Sequence, residues 1–155
     1  MISVRLSKLE DMKLYFLWAN DSVVRENAFN SGPISWEVHQ QWYTDKLEDN
    51  NACLCIIEEN GVPIGQVRFD TKGHDSEIGY SIAEEFRGKG YGQKSLRSAI
   101  DMFVNRWVEV TTLSAKVKTQ NVASNMIFVG LGFDIQGQEK NTNVVEYRLH
   151  LDGNK

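Results

Sequence analysis

The sequence predicts an α/β protein with a mixed, largely antiparallel sheet. Short runs rich in β-branched and aromatic residues alternate with segments whose apolar residues recur at helical spacing. Two of the runs are joined by Asn60 and Gly61, a strong β-hairpin signal, while another two are separated by a long amphipathic segment. Because 155 residues is the usual size of one domain, we expect a single domain over residues 1–155.

The first third of the chain predicts one strand and two helices. ISVRL at 2–6 has the composition of a short strand, and apolar residues at helical spacing predict a helix over 8–19. The segment 20–35 is rich in turn-forming residues. Ser35 has the character of an N-cap and predicts a second helix over 36–48.

The middle of the chain predicts three strands. ACLCIIEE at 52–59 and PIGQVRFD at 63–70 flank the hairpin turn. EIGYSI at 77–82 follows a polar turn and supplies the next strand. We therefore expect consecutive antiparallel neighbours in this part of the sheet.

The remainder opens with a helix after the glycine-rich stretch 88–92. A strand at 111–117, a helix at 121–130 and a closing antiparallel pair, GFDIQG with the strand at 144–151, complete the order β-α-α-β-β-β-α-β-α-β-β. Since a helix connects the fourth and fifth strands, they should be parallel neighbours. The apolar residues of the connecting helix follow i, i+3, i+4, i+7, i+8, i+11: Leu96, Ala99, Ile100, Phe103, Val104 and Trp107.

The charge and composition of the chain argue against nucleic acid, a membrane and a metal ion as binding partners. A net charge of −4 and a pI of about 5.4 leave no basic surplus for nucleic acid. No apolar run approaches the length of a membrane span and the N-terminus lacks a signal-peptide core, so we expect a cytoplasmic protein without a membrane partner. Cys53 and Cys55 share one face of a predicted strand, and no further Cys or His cluster completes a metal site. We expect both thiols to be reduced and no metal to be bound.

The glycine-rich stretch predicts a phosphate site. Gly88, Gly90 and Gly92 alternate at the start of a helix, where free backbone N–H groups and the helix dipole favour an anion. Arg87 and Lys89 add positive charge beside them. The spacing of a Walker loop and that of a dinucleotide fingerprint are both absent.

The pattern R-x-x-G-x-G, filled by Arg87, Gly90 and Gly92, resembles the pyrophosphate loop of the GNAT acetyltransferase superfamily, which binds coenzyme A. EIGYSIAEEFRGKGYGQKSL is similar to that family's fourth strand, loop and third helix, and TLSAKVKTQNVASNMIFVGLGF to its fifth strand and fourth helix. The resemblance covers nearly all of the chain. It implies a GNAT-like α/β sandwich whose parallel fourth and fifth strands splay apart, with acetyl-CoA as acyl donor.

The resemblance also implies roles for individual residues. The pantetheine arm would pair with the fourth strand and with Asn121, the pyrophosphate would lie on the glycine loop, and the backbone N–H of Ile82 would polarise the acetyl carbonyl. The implied cofactor-binding residues are Ser81, Ile82, Ala83, Arg87, Gly88, Lys89, Gly90, Tyr91, Gly92, Asn121, Ser124 and Phe128.

Proton transfer is less defined. Many relatives carry a tyrosine where this chain has Phe128, so the general acid is open, with Tyr91 and Ser124 as alternatives. An acceptor amine must lose a proton before attack. Glu77, at the start of the fourth strand, is the first candidate for the base, with His74 and a water relay as the others.

The resemblance implies that the first two helices and the loop between them contact the acceptor, here residues 19–47, the acceptor segment. This segment combines a cation, aromatic rings and amide or hydroxyl groups, which suits a nucleotide sugar. Its run N-D-x-x-V-R…F-N-S…I-S-W-E-x-H-x-x-W resembles the N-acetyltransferases of nonulosonic (pseudaminic-type) acid biosynthesis. These acetylate the 4-amino group of a UDP-linked amino-dideoxy sugar. The candidate acceptor residues are Arg25, Phe29, Asn30, Ser31, His39 and Trp42.

Two alternatives remain open at the level of sequence. The acceptor could be a peptide α-amine or a polyamine. The chain could also bind acyl-CoA without transferring it, a reading that Phe128 supports and Glu77 opposes. Either a monomer or a homodimer is compatible with the sequence.

Overall fold

The hairpin at the middle of the sheet forms where its turn residues predict it. In the computed structural model, which describes residues 1–138 and 143–151, Asn60 and Gly61 have φ of 51° and 82°. Such left-handed backbone reverses the chain between strands β2 (Ala52–Glu59) and β3 (Val62–Lys72).

Seven strands form one sheet in the order β1-β2-β3-β4-β5-β7-β6. All neighbours are antiparallel except β4 and β5, which are parallel. The predicted mixed, largely antiparallel α/β fold is therefore confirmed. The remaining strands are β1 (Ile2–Leu6), β4 (Asp75–Ile82), β5 (Thr112–Lys118), β6 (Asp134–Gln138) and β7 (Val144–His150).

The structure contains one helix more than the sequence predicted. No helix was predicted within the turn-rich segment 20–35, but the Asp21 side chain accepts hydrogen bonds from the N–H groups of Val23 and Val24 and caps a short helix there. The helices are α1 (Met12–Ala19), α2 (Ser22–Asn27), α3 (Trp36–Glu48), α4 (Tyr91–Arg106) and α5 (Val122–Gly130), with short 3-10 turns at Leu9–Asp11 and Glu84–Phe86.

The two faces of the sheet carry separate cores. Helices α4 and α5 pack against the larger one, in which the Phe69 and Phe103 rings stack with centroids 4.0 Å apart. Helices α1 and α3 cover the other face, where Leu54 and Ile56 of β2 are buried. Because Arg68 is the cross-strand partner of Leu54, its side chain lies on the α1 and α3 side.

The cysteines occupy the larger core as free thiols. The Sγ atoms of Cys53 and Cys55 lie 3.7 Å apart and both residues are buried. In the part of the chain that the structure describes, His, Cys, Asp and Glu side chains do not cluster in a way that could hold a metal ion. Nor is any helix there long and apolar enough to cross a membrane.

Candidate active site

The sheet opens between its two parallel strands. Pairing of β4 with β5 covers only Asp75 to Glu77 and ends there, while β4 stays paired with β3 as far as Ile82. From Ile78 onward, the edge of β4 that faces β5 therefore lacks a partner strand. Unpaired N–H and C=O groups of this kind can bind an extended ligand that carries amides. The predicted splay of the fourth and fifth strands is confirmed.

The backbone of β4 alternates in the direction of its hydrogen bonds. The N–H of Ala83 donates to the Ile64 carbonyl at 2.7 Å, so it points to β3. By alternation, the backbone N–H of Ser81 also points to β3, and the backbone N–H of Ile82 points into the opening between β4 and β5. This placement agrees with the role expected of the Ile82 N–H, whereas the backbone N–H of Ala83 is already occupied.

A cavity of about 1190 Å³ extends from this opening to both sides of the sheet. Its walls come from α1 to α3, the loop before α4, and α5. The predicted residues that line it are Arg25, Phe29, Asn30, His39, Trp42, Ser81, Ile82, Arg87, Gly88, Gly90, Tyr91, Gly92, Asn121, Ser124 and Phe128. Four predicted residues lie outside the lining: Ser31, Glu77, Ala83 and Lys89.

Two of the loop glycines have the backbone that a phosphate site needs. Gly88 and Gly90 have φ of 74° and 80°, and a Cβ at either would meet nothing within 4 Å. The space above them is clear, and the first N–H groups of α4 lack acceptors within the helix. Gly92 has a different reason, since a Cβ there would lie 2.7 Å from Cδ1 of Ile127. It permits close packing of α4 on α5.

Arg87 connects the cofactor loop to the acceptor segment. Its Nε donates to the Ile82 carbonyl at 3.0 Å, and its Nη2 donates to Asp21 Oδ1 at 2.9 Å. The pKa of Asp21 is lowered, because the hydrogen bonds from Arg87 and from the backbone of α2 outweigh the burial that acts to raise it. Contact of Arg87 with a pyrophosphate stays a prediction.

Residues around Phe128 form a buried polar and aromatic cluster. Asn121 caps α5 by accepting a hydrogen bond from the Ser124 N–H, and the Tyr80 hydroxyl donates to Ser124 Oγ at 3.0 Å. Burial raises the pKa of Tyr80, so its hydroxyl stays protonated at neutral pH. The Phe128 ring packs edge-on against Tyr80. Tyr80, whose ring packs against Phe128 and whose hydroxyl contacts Ser124, was not among the predicted site residues.

On the acceptor side, Arg25 of α2 lines the cavity. Its Nη1 donates to the Gly32 carbonyl at 3.0 Å, and its Nε is buried without a partner among the described residues. Burial lowers the pKa of Arg25, and the positive charge of Arg68 adds to that effect. Phe29 is 61% exposed at the rim of the cavity.

His39 is held in a stack of aromatic rings. It is 3% exposed, its Nε2 donates to the Met12 carbonyl at 2.9 Å, and its ring stacks on Tyr43. Burial lowers the pKa of His39, with the Met12 carbonyl acting in the opposite direction. The neutral imidazole is therefore the stable form at pH 7.

Neither candidate base lies in the cavity. Glu77 is exposed at the last position of β4 that pairs with β5, and it lies opposite Asp70 of β3. His74 is exposed in the preceding turn, where its Nδ1 is 2.8 Å from the Glu109 carbonyl. A general-base role for either one stays a prediction.

Two further side chains on the acceptor side were missed. Gln66 is 5% exposed, donates from Nε2 to Ser81 Oγ at 3.0 Å, and has an Oε1 without a partner in the described chain. Arg68 lies with its guanidinium carbon 5.9 Å from the centroid of the Trp42 ring. The alternation of polar and apolar residues in PIGQVRFD was the available signal, because it places Gln66 and Arg68 on one face.

The charge of the lining is one-sided. Although the chain carries a net charge of −4, the described residues that line the cavity include no Asp or Glu. The basic residues among them are Arg25, Arg68, Arg87, Lys94, Arg97, Lys116 and Lys118. Such a lining favours anionic ligands on both sides of the sheet.

Comparison with known proteins agrees with this geometry. A family model described as an acetyltransferase (GNAT) domain matches residues 2–134. The chain belongs to the GNAT acetyltransferase family. As a GNAT protein it is an N-acetyltransferase, and acetyl-CoA is its acyl donor. The clear space over Gly88 and Gly90 and the unpaired edge of β4 fit that donor.

Solved structures share the GNAT fold at low sequence identity. Spermidine N-acetyltransferase from Vibrio cholerae, in complex with CoA and spermine, has a TM-score of 0.86 and 16% identity, covering 98% of this chain and 96% of that one. Aminoglycoside acetyltransferase AAC(6')-Ib with coenzyme A has a TM-score of 0.83 and 20% identity, covering 99% and 96%. RimL, a ribosomal L7/L12 alpha-N-protein acetyltransferase, has a TM-score of 0.82 and 16% identity, covering 98% and 95%. No curated protein matches the chain.

Proposed function

We propose that this GNAT enzyme acetylates the 4-amino group of a UDP-linked amino-dideoxy sugar in the cytoplasm, by direct transfer within a ternary complex. The observation that carries the proposal is the lining of the cavity, with seven Lys and Arg side chains and no carboxylate among its described residues. On the acceptor side, Arg25 and Arg68 supply positive charge and Trp42 and Phe29 supply aromatic surface. Aromatic rings suit a nucleobase and guanidinium groups suit a diphosphate.

A polycationic acceptor fits this lining poorly. Spermine and kanamycin are bound in the structures of two proteins that share the fold, and both molecules are polycations at neutral pH. Two like charges 4 Å apart repel by about 4 kcal/mol at an effective dielectric constant of 20. Because described lining residues offer no carboxylate to offset this repulsion, we favour an acceptor whose net charge is negative.

The positive charges of the lining also affect the pKa of the reacting amine. Only the neutral amine can attack a thioester, and neighbouring positive charges lower the pKa of an ammonium group. Cations of the lining that the acceptor's phosphates do not neutralise would thus increase the fraction of free amine at neutral pH. The Ile82 N–H, which faces the opening, would donate to the oxygen that develops negative charge.

Acetyl-CoA supplies the acetyl group as a thioester, so that an amide forms and a thiol is released. A thiolate is a fair leaving group, and transfer therefore does not require a proton donor at Phe128. The hydroxyls of Tyr80 and Ser124 lie beside this residue, whereas Tyr91 lies at the start of α4.

A thiol-release assay with four acceptors tests the proposal. The panel contains a UDP-linked 4-amino-dideoxy sugar, spermidine, an aminoglycoside and a peptide with a free α-amine. We expect kcat/KM to be highest for the UDP-linked sugar, by at least tenfold. A higher value for spermidine or the aminoglycoside would contradict it. Binding of acetyl-CoA without thiol release from any of the four would instead favour a non-catalytic module.

A further inference from the structure

Arg68 is a cation that faces the cavity without a carboxylate partner in the described chain. Arg5 and Arg87 each form a salt bridge, with Asp11 and Asp21 respectively, but no salt bridge or hydrogen bond of the Arg68 guanidinium is found among the described residues. The group lies over the Trp42 ring, at 5.9 Å from its centroid. A partly buried guanidinium with one apolar face covered and its N–H groups free is suited to bind an anion.

The strand beneath Arg68 leaves room for it. Gly79 is its cross-strand partner on β4, and a Cβ at Gly79 would lie 3.3 Å from both Cζ and Nη2 of Arg68. The backbone of Gly79 is not left-handed, so conformational freedom does not explain the glycine. The absence of a side chain lets the guanidinium lie directly over β4, beside the opening between β4 and β5.

A second guanidinium, that of Arg25, lines the same cavity. Arg25 has a buried Nε without a partner in the described chain, and the positive charge of Arg68 contributes to the lowered pKa of Arg25. Two like charges held near each other raise the energy of the free protein. A bound anion between them would reverse that cost, because each guanidinium can donate two hydrogen bonds to phosphate oxygens.

We propose that Arg68 and Arg25 together bind the acceptor's phosphate, above Gly79, and that this contact sets the distance from the phosphate to the reacting amine. The inference rests on the proposed function, and it identifies the phosphate as the part of the acceptor that Arg68 and Arg25 recognise. Gly79 and Ile82 are three residues apart on β4, or about 10 Å at 3.3 Å per residue. One sugar ring between phosphate and amine spans a separation of that order once the amine and the acetyl carbon are in contact.

Binding of UDP, which has the diphosphate but no amine, isolates this contact. Calorimetry compares the wild type with Arg68→Met, which keeps the apolar stem, and with Arg68→Lys, which keeps the charge and loses the planar fork. Arg106→Met is the matched control, because Arg106 is exposed at the end of α4 and outside the lining. We expect the Kd for UDP to rise at least tenfold in Arg68→Met, less in Arg68→Lys, and less than twofold in Arg106→Met.

Gly79→Ala tests the geometry with every charge retained. It should also raise the Kd for UDP, because the added methyl group would lie 3.3 Å from the guanidinium and would shift it by a few tenths of an ångström. The Kd for acetyl-CoA should change less than twofold in all variants. An unchanged Kd for UDP in Arg68→Met, or an equal loss of acetyl-CoA and UDP binding, would overturn the proposal. Binding of uridine, which lacks the phosphates, should not depend on Arg68.

The thiol-release assay separates this inference from the proposed function. If the wild type acetylates the UDP-linked amino sugar and Arg68→Met does so with the same KM, the phosphate site is wrong while the function stands. If UDP binding depends on Arg68 but no UDP-linked amino sugar is acetylated, the function is wrong while the phosphate site stands.

Discussion

The two halves of the cavity, on the donor side and on the acceptor side, are lined by different kinds of chemical group. The half in which we expect the cofactor consists of backbone groups from consecutive residues, at Gly88 to Gly92 and along the free edge of β4. The acceptor half consists of side chains from three separate elements, with Arg25 on α2, Trp42 on α3 and Arg68 on β3. A site made of backbone leaves a local pattern of glycines in the sequence, whereas a site made of converging side chains does not.

The largest loss of affinity should come from a side chain that covers the backbone N–H groups of the glycine loop. In Gly90→Val the side chain would occupy the clear space over the loop, in a conformation with φ of 80° that strains any L-residue. We expect the Kd for acetyl-CoA to rise more than tenfold, since hydrogen bonds to a charged group contribute about 1.5–3 kcal/mol each. Calorimetry on the folded variant measures it.

Gly61→Val is the matched control. Gly61 has φ of 82°, a Cβ there would also meet nothing within 4 Å, and the residue lies in the hairpin turn outside the cavity. Both variants should lose similar stability, about 1–2 kcal/mol for a left-handed L-residue. Equal acetyl-CoA affinity in the two variants would remove the phosphate assignment from the loop.

The second effect should be confined to the acceptor half. Arg25→Ala should weaken binding of a UDP-linked amino sugar by about 1.5–3 kcal/mol, while the Kd for acetyl-CoA stays nearly constant. Steady-state kinetics give the KM for the sugar, and Arg106→Ala serves as the control for loss of one positive charge. An unchanged KM would make Arg25 an ordinary charge and would contradict the division into two halves.

A third prediction concerns the stability of the acceptor half in acid. The pKa of His39 is lowered in the folded state, so the unfolded chain binds a proton at higher pH than the folded one. The free energy of unfolding that depends on neutral His39 is fully present above the unfolded-state pKa of about 6.5. It is lost as pH falls from there through the lowered pKa of the folded state. Thermal unfolding between pH 7.5 and 5 should show a falling midpoint.

His39→Gln should flatten that pH dependence whatever its effect at pH 7.5. A change of 1 kcal/mol corresponds to about 2–4 °C for a chain of this size. His150→Gln, at an exposed position on β7, should keep the wild-type slope. The same slope in His39→Gln and the wild type would show that other groups cause the loss.

The smallest effect is expected at Glu77. A general base contributes about 10²–10⁴-fold to the rate. Glu77 is exposed and outside the lining, and the cations around the acceptor favour the free amine without a carboxylate. We therefore expect Glu77→Gln to lower kcat by less than about threefold at pH 7. A loss of a hundredfold that shrinks as pH rises would assign the base to Glu77.

The sequence was sufficient to predict the fold, and there is a physical reason for that. Periodicity, the Asn60 and Gly61 turn and the glycine loop are local signals, and the structure confirms the hairpin, the sheet and the splay. Helix α2 was missed because its six residues give little periodicity, although Asp21 is a recognisable N-cap. The exact start of α1 at Met12, after a 3-10 turn, was also beyond the pattern.

The acceptor half was predicted only in part. Arg25 and Trp42 lie in one segment and were found together, but Arg68 and Gln66 lie on β3, in a strand that otherwise predicts core. Their relation to Arg25 depends on how β3 lies beneath α2 and α3, which no local pattern encodes. The same applies to Gly79, whose purpose is clear only from the guanidinium above it.

The salt bridge between Arg87 and Asp21 connects the two halves of the cavity, so that binding of the donor in one half can affect binding of the acceptor in the other. Asp21 caps α2, the helix that carries Arg25, and Arg87 begins the loop that the donor's phosphates would approach. A phosphate that draws Arg87 away from Asp21 changes the stability of the α2 cap. By thermodynamic reciprocity, an acceptor that alters α2 must then change the affinity for the donor by the same factor. This partly buried ion pair thereby couples the affinities for the two substrates, whichever of them binds first.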